Sequence, residues 1–240
     1  MRLILGFIFV FVVSGNVVAE QKGVVWNLER LAKSSDEILF LKPSKTESVV
    51  PVTTYNLRLI ARTFDRVKTA AELEPRLLLI SGDKPNAHAG FVDNTPTVMI
   101  NLGMLNLVGY NADEWAALLG HELAHLKLEH SGKGQIRRTT LTVLRVVINA
   151  YFENDIIAQD GTDISAKLID SKFSRDQERQ SDYLGVIWAL EADYDPHGGA
   201  SLHGRLLEHY GAKGLPFLSS HPTSRERIQT LSELADRVTP

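Results

Sequence analysis

LLGHELAHLKLEH, residues 118 to 130, sets two histidines four residues apart and a glutamate directly after the first. On an α-helix, residues four apart differ by about 40° in rotation and about 6 Å in rise, so His121 and His125 project from one face. Two neutral imidazoles in that position can bind one Zn²⁺. Glu122 can then reach the open coordination position as general base. The alternative is an ordinary amphipathic helix with surface histidines, which the apolar residues around both histidines disfavour.

A catalytic zinc site needs a third protein ligand. The pattern HExxHxxGxxH fails because the chain has Leu128 and Ser131 where that pattern has glycine and histidine. His130 misses the register by one residue and is predicted to point away from the histidine pair. Glu178 is expected to be the third ligand, with Asp182 hydrogen-bonding the free nitrogen of a ligating histidine. The alternative is an acidic pair on a solvated helix face.

Periodicity and capping residues predict an α+β fold that is mainly helical, with a small β-sheet edge beside the metal helix. Strands are predicted at 76–80 and 97–102, around a turn-rich loop at 81–96. Helices are predicted at about 54–73, 112–132, 175–192, 196–211 and 224–238. Capping boxes support three of their starts, at Asn111 with Glu114, Ser174 with Gln177, and Thr223 with Glu226.

Composition limits the chemistry of the site and the class of partner. The chain has no cysteine, so any metal must be bound by His, Asp or Glu. A net charge of −3, with basic residues scattered among acidic ones, gives no electrostatic footprint for nucleic acid. The apolar segment 139–152 is divided by Arg145 and is too short to span a bilayer. It is expected to be a core or interface helix, or to make peripheral contact with a membrane surface.

Residues 1–19, MRLILGFIFVFVVSGNVVA, have the layout of a secretory signal peptide. The apolar run from Leu3 to Val13 is shorter than the ~20 residues that a membrane span needs, although an uncleaved anchor remains the alternative. The segment therefore predicts a periplasmic or secreted protein.

Several stretches together resemble the zinc metallopeptidase family that contains the CAAX prenyl endopeptidase, the mitochondrial Oma-type protease, HtpX-like proteases and periplasmic BepA-like proteins. They are HELAH at 121–125, ERQSDYLG at 178–185, DYDPHG at 193–198 and SHPTSRERI at 220–228. NAHAG at 86–90 and VMINLGMLNLV at 98–108 resemble the family's loop and strand ahead of the metal helix. The resemblance covers about residues 54–238 in the family's order. It implies a gluzincin-type domain at 54–240, after an N-terminal extension at 20–53.

The resemblance implies that His121, His125 and Glu178 bind one zinc ion per chain and that Glu122 is the catalytic base. It also gives His221 and Arg227 catalytic roles, since they are six residues apart here as in the family. A loop histidine and a nearby arginine can stabilise the oxyanion of a tetrahedral intermediate. Three roles remain open for His221: a structural residue, an oxyanion helper, or an autoinhibitory metal ligand of the kind ascribed to some relatives.

The expected function is an exported endopeptidase that cleaves unfolded or misassembled envelope proteins. If the outer edge of strand 97–102 faces the metal, an extended substrate can add to it through backbone hydrogen bonds. The substrate-binding residues predicted on this basis are Asn86, Ala87, Met99 and Asn101. His88 stands where relatives often have an aromatic residue. It is either unimportant, or it alters the cleft edge or supplies a stray metal contact. The alternative function is a latent or non-cleaving chaperone-like binding protein on the same fold.

Overall fold

The computed structural model describes residues 3–4, 24–43, 48–92, 95–128, 130, 173–211 and 215–239. Apart from Leu3–Ile4, the predicted signal peptide lies outside the described residues. The apolar segment 139–152 lies outside them as well, so the two interpretations of that segment stay predictions.

The strands of the described residues form two sheets. The larger sheet has the order β2 (Val25–Asn27), β5 (Arg76–Ile80), β7 (Thr95–Asn101) and β6 (Ala87–Val92). Within it only the β5–β7 pair is parallel. The smaller sheet has the order β1 (Leu3–Ile4), β3 (Ile38–Leu41) and β4 (Val50–Thr53). Because β2 joins the larger sheet, part of the predicted N-terminal extension shares a sheet with later residues, and the boundary at residue 54 stays a prediction.

Helices make up most of the remaining described structure, which confirms the predicted mainly helical α+β fold. They are α1 (Leu28–Ala32), α2 (Thr54–Ala70), α3 (Leu102–Val108), α4 (Ala112–Lys127), α5 (Arg175–Glu191), α6 (Gly198–Tyr210), α7 (Pro216–Ser220) and α8 (Arg225–Val238). None of the helices in the described ranges is long and apolar enough to cross a membrane.

Two of the predicted capping boxes mark helix starts correctly. The Ser174 side chain accepts from the backbone of Gln177, and the Gln177 side chain returns to the cap, so the reciprocal box at α5 is confirmed. The Asn111 side chain caps α4, but the Glu114 side chain does not accept a hydrogen bond from the backbone N–H of Asn111. The buried Glu114 carboxylate instead accepts from Arg205 Nη2 at 2.9 Å, which ties the first turn of α4 to α6.

Other boundaries differ from the predictions for local reasons. The last helix is capped by Ser224 rather than Thr223. The α6 helix begins at Gly198, because the Asp195 side chain accepts from the backbone N–H of His197 and forms a turn ahead of the helix. The predicted loop 81–96 contains β6, a strand with the sequence AHAGFV that is defined by its pairing with β7.

Helices α4 and α5 approach each other backbone to backbone where each carries a glycine. A Cβ atom added to Gly120 would lie 3.0 Å from the Cα of Gly185, and one added to Gly185 would lie 3.0 Å from the backbone nitrogen of His121. Such contacts are tighter than side chains normally make, and both neighbours are backbone atoms of packed helices. The absence of side chains at these two positions therefore sets the spacing between α4 and α5.

We expect Gly185→Ala to destabilise the protein by about 1–3 kcal/mol, since the added methyl group must push two packed helices apart. Urea unfolding of the wild type and the variant measures the difference. Gly204→Ala is the matched control, because its Cβ would meet no atom within 4 Å. At that helical position alanine should stabilise by about 0.5–1 kcal/mol. A Gly185→Ala protein as stable as the wild type would contradict the close approach.

Candidate metal centre

Four buried side chains converge on one point between α4, α5 and the end of α7. His121 and His125 lie on α4, Glu178 lies on α5, and His221 is the residue that caps the C-terminus of α7. One nitrogen or oxygen atom from each of the four lies within 4.8 Å of all the others. Each of these four residues was predicted from the sequence as part of the site, and the fold brings them together.

The facing atoms are imidazole nitrogens and a carboxylate oxygen. The Nε2 atoms of His121 and His125 are 3.0 Å apart. The Oε1 atom of Glu178 lies 3.3 Å from Nε2 of His125. The Nδ1 atom of His221 lies 3.1 Å from Nε2 of His121 and 3.0 Å from Oε1 of Glu178. Three ring nitrogens and one carboxylate oxygen therefore face a common centre.

This donor set fits a divalent metal ion. Imidazole nitrogen and carboxylate oxygen are ligands that Zn²⁺ accepts, and two histidines with one glutamate form a known catalytic set. Beside the centre, Glu122 Oε1 and His221 Nε2 are buried 3.4 Å apart, and neither has a hydrogen-bond partner among the described residues. Buried polar atoms are nearly always satisfied, so these two atoms point to a further polar group in the site.

Asp182 and Arg227 lie next to His121 and Glu178 and fix the orientation of their side chains. The Nδ1 atom of His121 is 2.9 Å from Asp182 Oδ1, so it carries the proton and leaves Nε2 facing the centre. Arg227 donates from Nε and Nη2 to the two oxygens of Asp182, at 2.9 and 2.7 Å. Its Nη1 also lies 2.7 Å from Glu178 Oε2. These contacts support a role for Arg227 in holding the carboxylates of Asp182 and Glu178 in place, rather than the predicted role of contacting an oxyanion.

The carboxylates of the site differ in their affinity for protons. Burial alone raises the pKa of Glu178, but its close contacts with the rings of His125 and His221 outweigh burial and hold that pKa well below its usual range. For Asp182, burial is outweighed in the same way by the charge of Arg227, and its pKa is also low. Burial dominates at Glu122 and raises its pKa. Burial also lowers the pKa of His125 to about 2, which keeps its ring neutral as a metal ligand must be.

His130 joins the site, and the prediction that it points away from the histidine pair is wrong. That prediction assumed a helix running through residue 130, but α4 ends at Lys127. The backbone N–H of His130 then donates to the carbonyl oxygen of His125 at 3.1 Å, which turns the chain back. As a result, Nδ1 of His130 lies 3.0 Å from Nδ1 of His125. The Phe173 ring stacks on the other side of His125, with ring centroids 3.8 Å apart.

The edge of the sheet near the site is β6, and the prediction that β7 offers an outer edge is wrong. β7 is paired on both sides, with β5 and with β6. Met99 and Asn101 therefore lie on an interior strand. The Asn101 side chain donates to the carbonyl oxygens of Gly82 and Lys84 and accepts from the backbone of Met104, so the fold itself uses it.

Asn86 and Ala87 lie at the start of β6 and are buried. The Asn86 side chain donates to Nε2 of His88 at 2.7 Å and accepts from the backbone of Ala87. Burial and the proximity of His221 lower the pKa of His88 to about 3. His88 is therefore a neutral ring beside the centre, although it does not belong to the group of four converging side chains.

Residues 56–235 match Peptidase family M48. The chain is 30% identical to mitochondrial metalloendopeptidase OMA1 of Schizosaccharomyces pombe, over 76% of this chain and 53% of that protein. It is 28% identical to a protease HtpX homolog of Salinibacter ruber, over 72% of this chain and 73% of the relative. It is 25% identical to a putative beta-barrel assembly-enhancing protease of Vibrio cholerae, over 57% of this chain and 30% of that protein.

The comparison corrects the predicted periplasmic or secreted location. Relatives from Schizosaccharomyces pombe and Arabidopsis thaliana are named mitochondrial metalloendopeptidases. Similarity to these relatives therefore does not support a periplasmic or secreted location. The chain spans about half the length of the first of these relatives and about a quarter of the second.

We expect Arg227→Met to destabilise the metal-free protein by about 3–5 kcal/mol, because it leaves the buried carboxylates of Glu178 and Asp182 without their cation. Urea unfolding in the presence of a chelator measures the loss. Arg237→Met is the control, since Arg237 is exposed and contacts Glu233 on the same helix, at 3.7 Å from its carboxylate and 3.2 Å from its carbonyl oxygen. Its cost should stay below about 1 kcal/mol. Equal losses in the two variants would contradict the orienting role of Arg227.

Proposed function

Because the chain belongs to peptidase family M48, we propose that it is a zinc-dependent endopeptidase that cleaves unfolded or misassembled proteins. The observation that carries the proposal is the meeting of His121, His125 and Glu178 from two helices, with the carboxylate of Glu122 beside them. A single helix with surface histidines would not bring a buried carboxylate from another helix to the same point.

We assign His121, His125 and Glu178 as the ligands of one zinc ion. When bound, zinc supplies a Lewis acid that polarises the substrate carbonyl and lowers the pKa of a water molecule. The neutral ring of His125 and the ionised carboxylate of Glu178 are in the protonation states that ligands need. Asp182 and Arg227 act as positioning residues that hold the ring of His121 and the carboxylate of Glu178 in place.

We assign Glu122 as the general base. It would accept a proton from the attacking water and return that proton to the leaving amine. Two features support this role over that of a fourth ligand. Its carboxylate is buried without a hydrogen-bond partner at Oε1 among the described residues. Its pKa is also raised by burial, so it binds a proton more readily than an exposed carboxylate does.

We place the substrate along the edge of β6. In the part of the chain that the structure describes, β6 pairs only with β7, so its other edge can accept an extended chain. Backbone pairing of this kind selects for unfolded segments more than for a particular sequence. Ala87, the first residue of this strand, remains a substrate-binding candidate, whereas the backbone N–H and carbonyl of Asn86 both bond to Asn101. His88 forms part of the cleft wall.

The class of substrate rests on the relatives. The family is one of peptidases, so the substrates are proteins. The relative named as a putative beta-barrel assembly-enhancing protease supports misassembled envelope proteins as the finer class. The mitochondrial relatives support protein substrates without that restriction.

A second candidate function is a gated or non-cleaving binder, and the position of His221 favours it. The Nδ1 atom of His221 lies within 3.1 Å of both His121 Nε2 and Glu178 Oε1, and its Nε2 atom is 3.4 Å from Glu122 Oε1. The ring thus stands between the proposed ligands and the proposed base, where a substrate carbonyl would have to enter. Of the three roles considered for His221, this geometry best supports the autoinhibitory ligand.

We expect Glu122→Gln to reduce hydrolysis of unfolded casein by about 10²–10⁴-fold, since the amide cannot accept the proton. Fluorescence release from labelled casein measures the rate, and bound zinc measured on the same samples should be unchanged. Glu208→Gln, at an exposed position on α6, is the matched control and should keep full activity. Undiminished cleavage by Glu122→Gln would refute the assigned base.

We expect His221→Ala to raise the rate of casein hydrolysis, because the ring no longer covers the ligands. His209→Ala, which removes an exposed histidine from α6, is the control and should leave the rate unchanged. A fall of about 10²-fold would instead identify an oxyanion helper. Absence of activity in both the wild type and His221→Ala, with zinc bound, would favour the binding protein over the gated enzyme.

A further inference from the structure

We propose that His130 is a positioning residue that fixes the ring of His125 through a two-step hydrogen-bond relay ending at Gln180. The inference rests on the proposed function, because it takes Nε2 of His125 as the atom that binds the metal. It assigns a role to a histidine that lies beyond the end of α4 and is outside the converging group of four.

The first step of the relay follows from which atom of His125 faces the centre. Nε2 of His125 lies 3.0 Å from His121 Nε2 and 3.3 Å from Glu178 Oε1, so this nitrogen is the ligand atom and must be unprotonated to bind metal. The proton of the neutral ring then resides on Nδ1. The partner of Nδ1 is Nδ1 of His130, at 3.0 Å. His125 therefore donates, and His130 accepts.

The second step fixes the tautomer of His130. Because its Nδ1 accepts, a neutral His130 must carry its proton on Nε2. That atom lies 3.1 Å from Oε1 of Gln180, a carbonyl oxygen that can only accept. Each of the two contacts thus has one donor and one acceptor, and reversing either proton would leave two donors or two acceptors face to face. With the amide of Gln180 in this orientation, the relay favours the tautomer of His125 that presents Nε2 to the centre.

The α5 helix also holds the backbone and ring of His130 in place. Gln177 Nε2 donates to the carbonyl oxygen of His130 at 3.3 Å, and the hydroxyl of Ser181 lies 3.4 Å from its Nδ1. Gln177, Gln180 and Ser181 belong to the same helix as Glu178. The helix that supplies the third ligand therefore also orients the second histidine.

The two ligand histidines donate to different kinds of hydrogen-bond acceptor. Behind His121 stands the carboxylate of Asp182, balanced by Arg227. The hydrogen-bond acceptor behind His125 is the neutral imidazole of His130. A carboxylate in that place would add another buried negative charge near Glu178 with no cation to balance it. A neutral acceptor fixes the ring of His125 without that electrostatic cost.

The test is zinc affinity, measured by competition of the apo-protein with a chromophoric chelator. His130→Ala removes the acceptor and should weaken zinc binding by about 10–100-fold. His130→Asn keeps an acceptor oxygen at the position of Nδ1 and should restore most of the affinity. Gln180→Ala removes the end of the relay from an exposed position and should give a smaller loss. His209→Ala, an exposed histidine elsewhere, should bind zinc as the wild type does.

Each result decides between the inference and the function on which it rests. If wild type binds zinc but His130→Ala binds it equally tightly, the relay is wrong and the metal site stands. An equal loss in His130→Asn and His130→Ala also overturns the relay, since bulk rather than an acceptor would then matter. Should His130→Ala fail to fold, unchanged affinity in Gln180→Ala overturns the relay. If wild type binds zinc no better than His121→Ala, the proposed function itself fails.

Discussion

The close approach of α4 and α5 at Gly120 and Gly185 is the constraint on which the site depends. His121 follows Gly120 directly, and Glu178 lies two turns ahead of Gly185 on the facing helix, so the helix spacing sets the distance between the two side chains. Metal coordination tolerates deviations of only about 0.2 Å from ideal bond lengths. A side chain at either glycine would widen this spacing and separate donors that now face each other.

The acidic residues of the site differ in proton affinity because they have different neighbours. Arg227 contacts Glu178 and Asp182. Its charge lowers the pKa of Asp182, whereas contacts with His125 and His221 lower the pKa of Glu178. Burial of three carboxylates is unfavourable unless they are paired, and here two are paired and the third keeps a raised pKa. The same helix pair therefore supplies a carboxylate suited to binding a cation and another suited to moving a proton.

Local signals in the sequence predicted much of the fold, while features that depend on contacts distant in sequence were missed. Caps at Asn111 and Ser174 mark helix starts because they satisfy backbone groups a few residues away. The strand β6 carries little periodic signal and exists through its register with β7, so it was taken for a loop. His130 was misplaced because its direction depends on a turn after α4 and on side chains from α5. The breaker SGKG placed the predicted end of this helix near residue 132, whereas the helix ends at Lys127.

The α4 helix is anchored at both ends, through Glu114 to Arg205 in its first turn and through Lys127 Nζ to the carbonyl oxygen of Ala71 in its last. His221, by contrast, follows a helix of five residues and is attached to it by a backbone hydrogen bond to Phe217. A helix held at both ends is expected to keep its position. The gating role proposed for His221 therefore calls for movement of the segment that follows α7, while the two histidines of α4 stay in place.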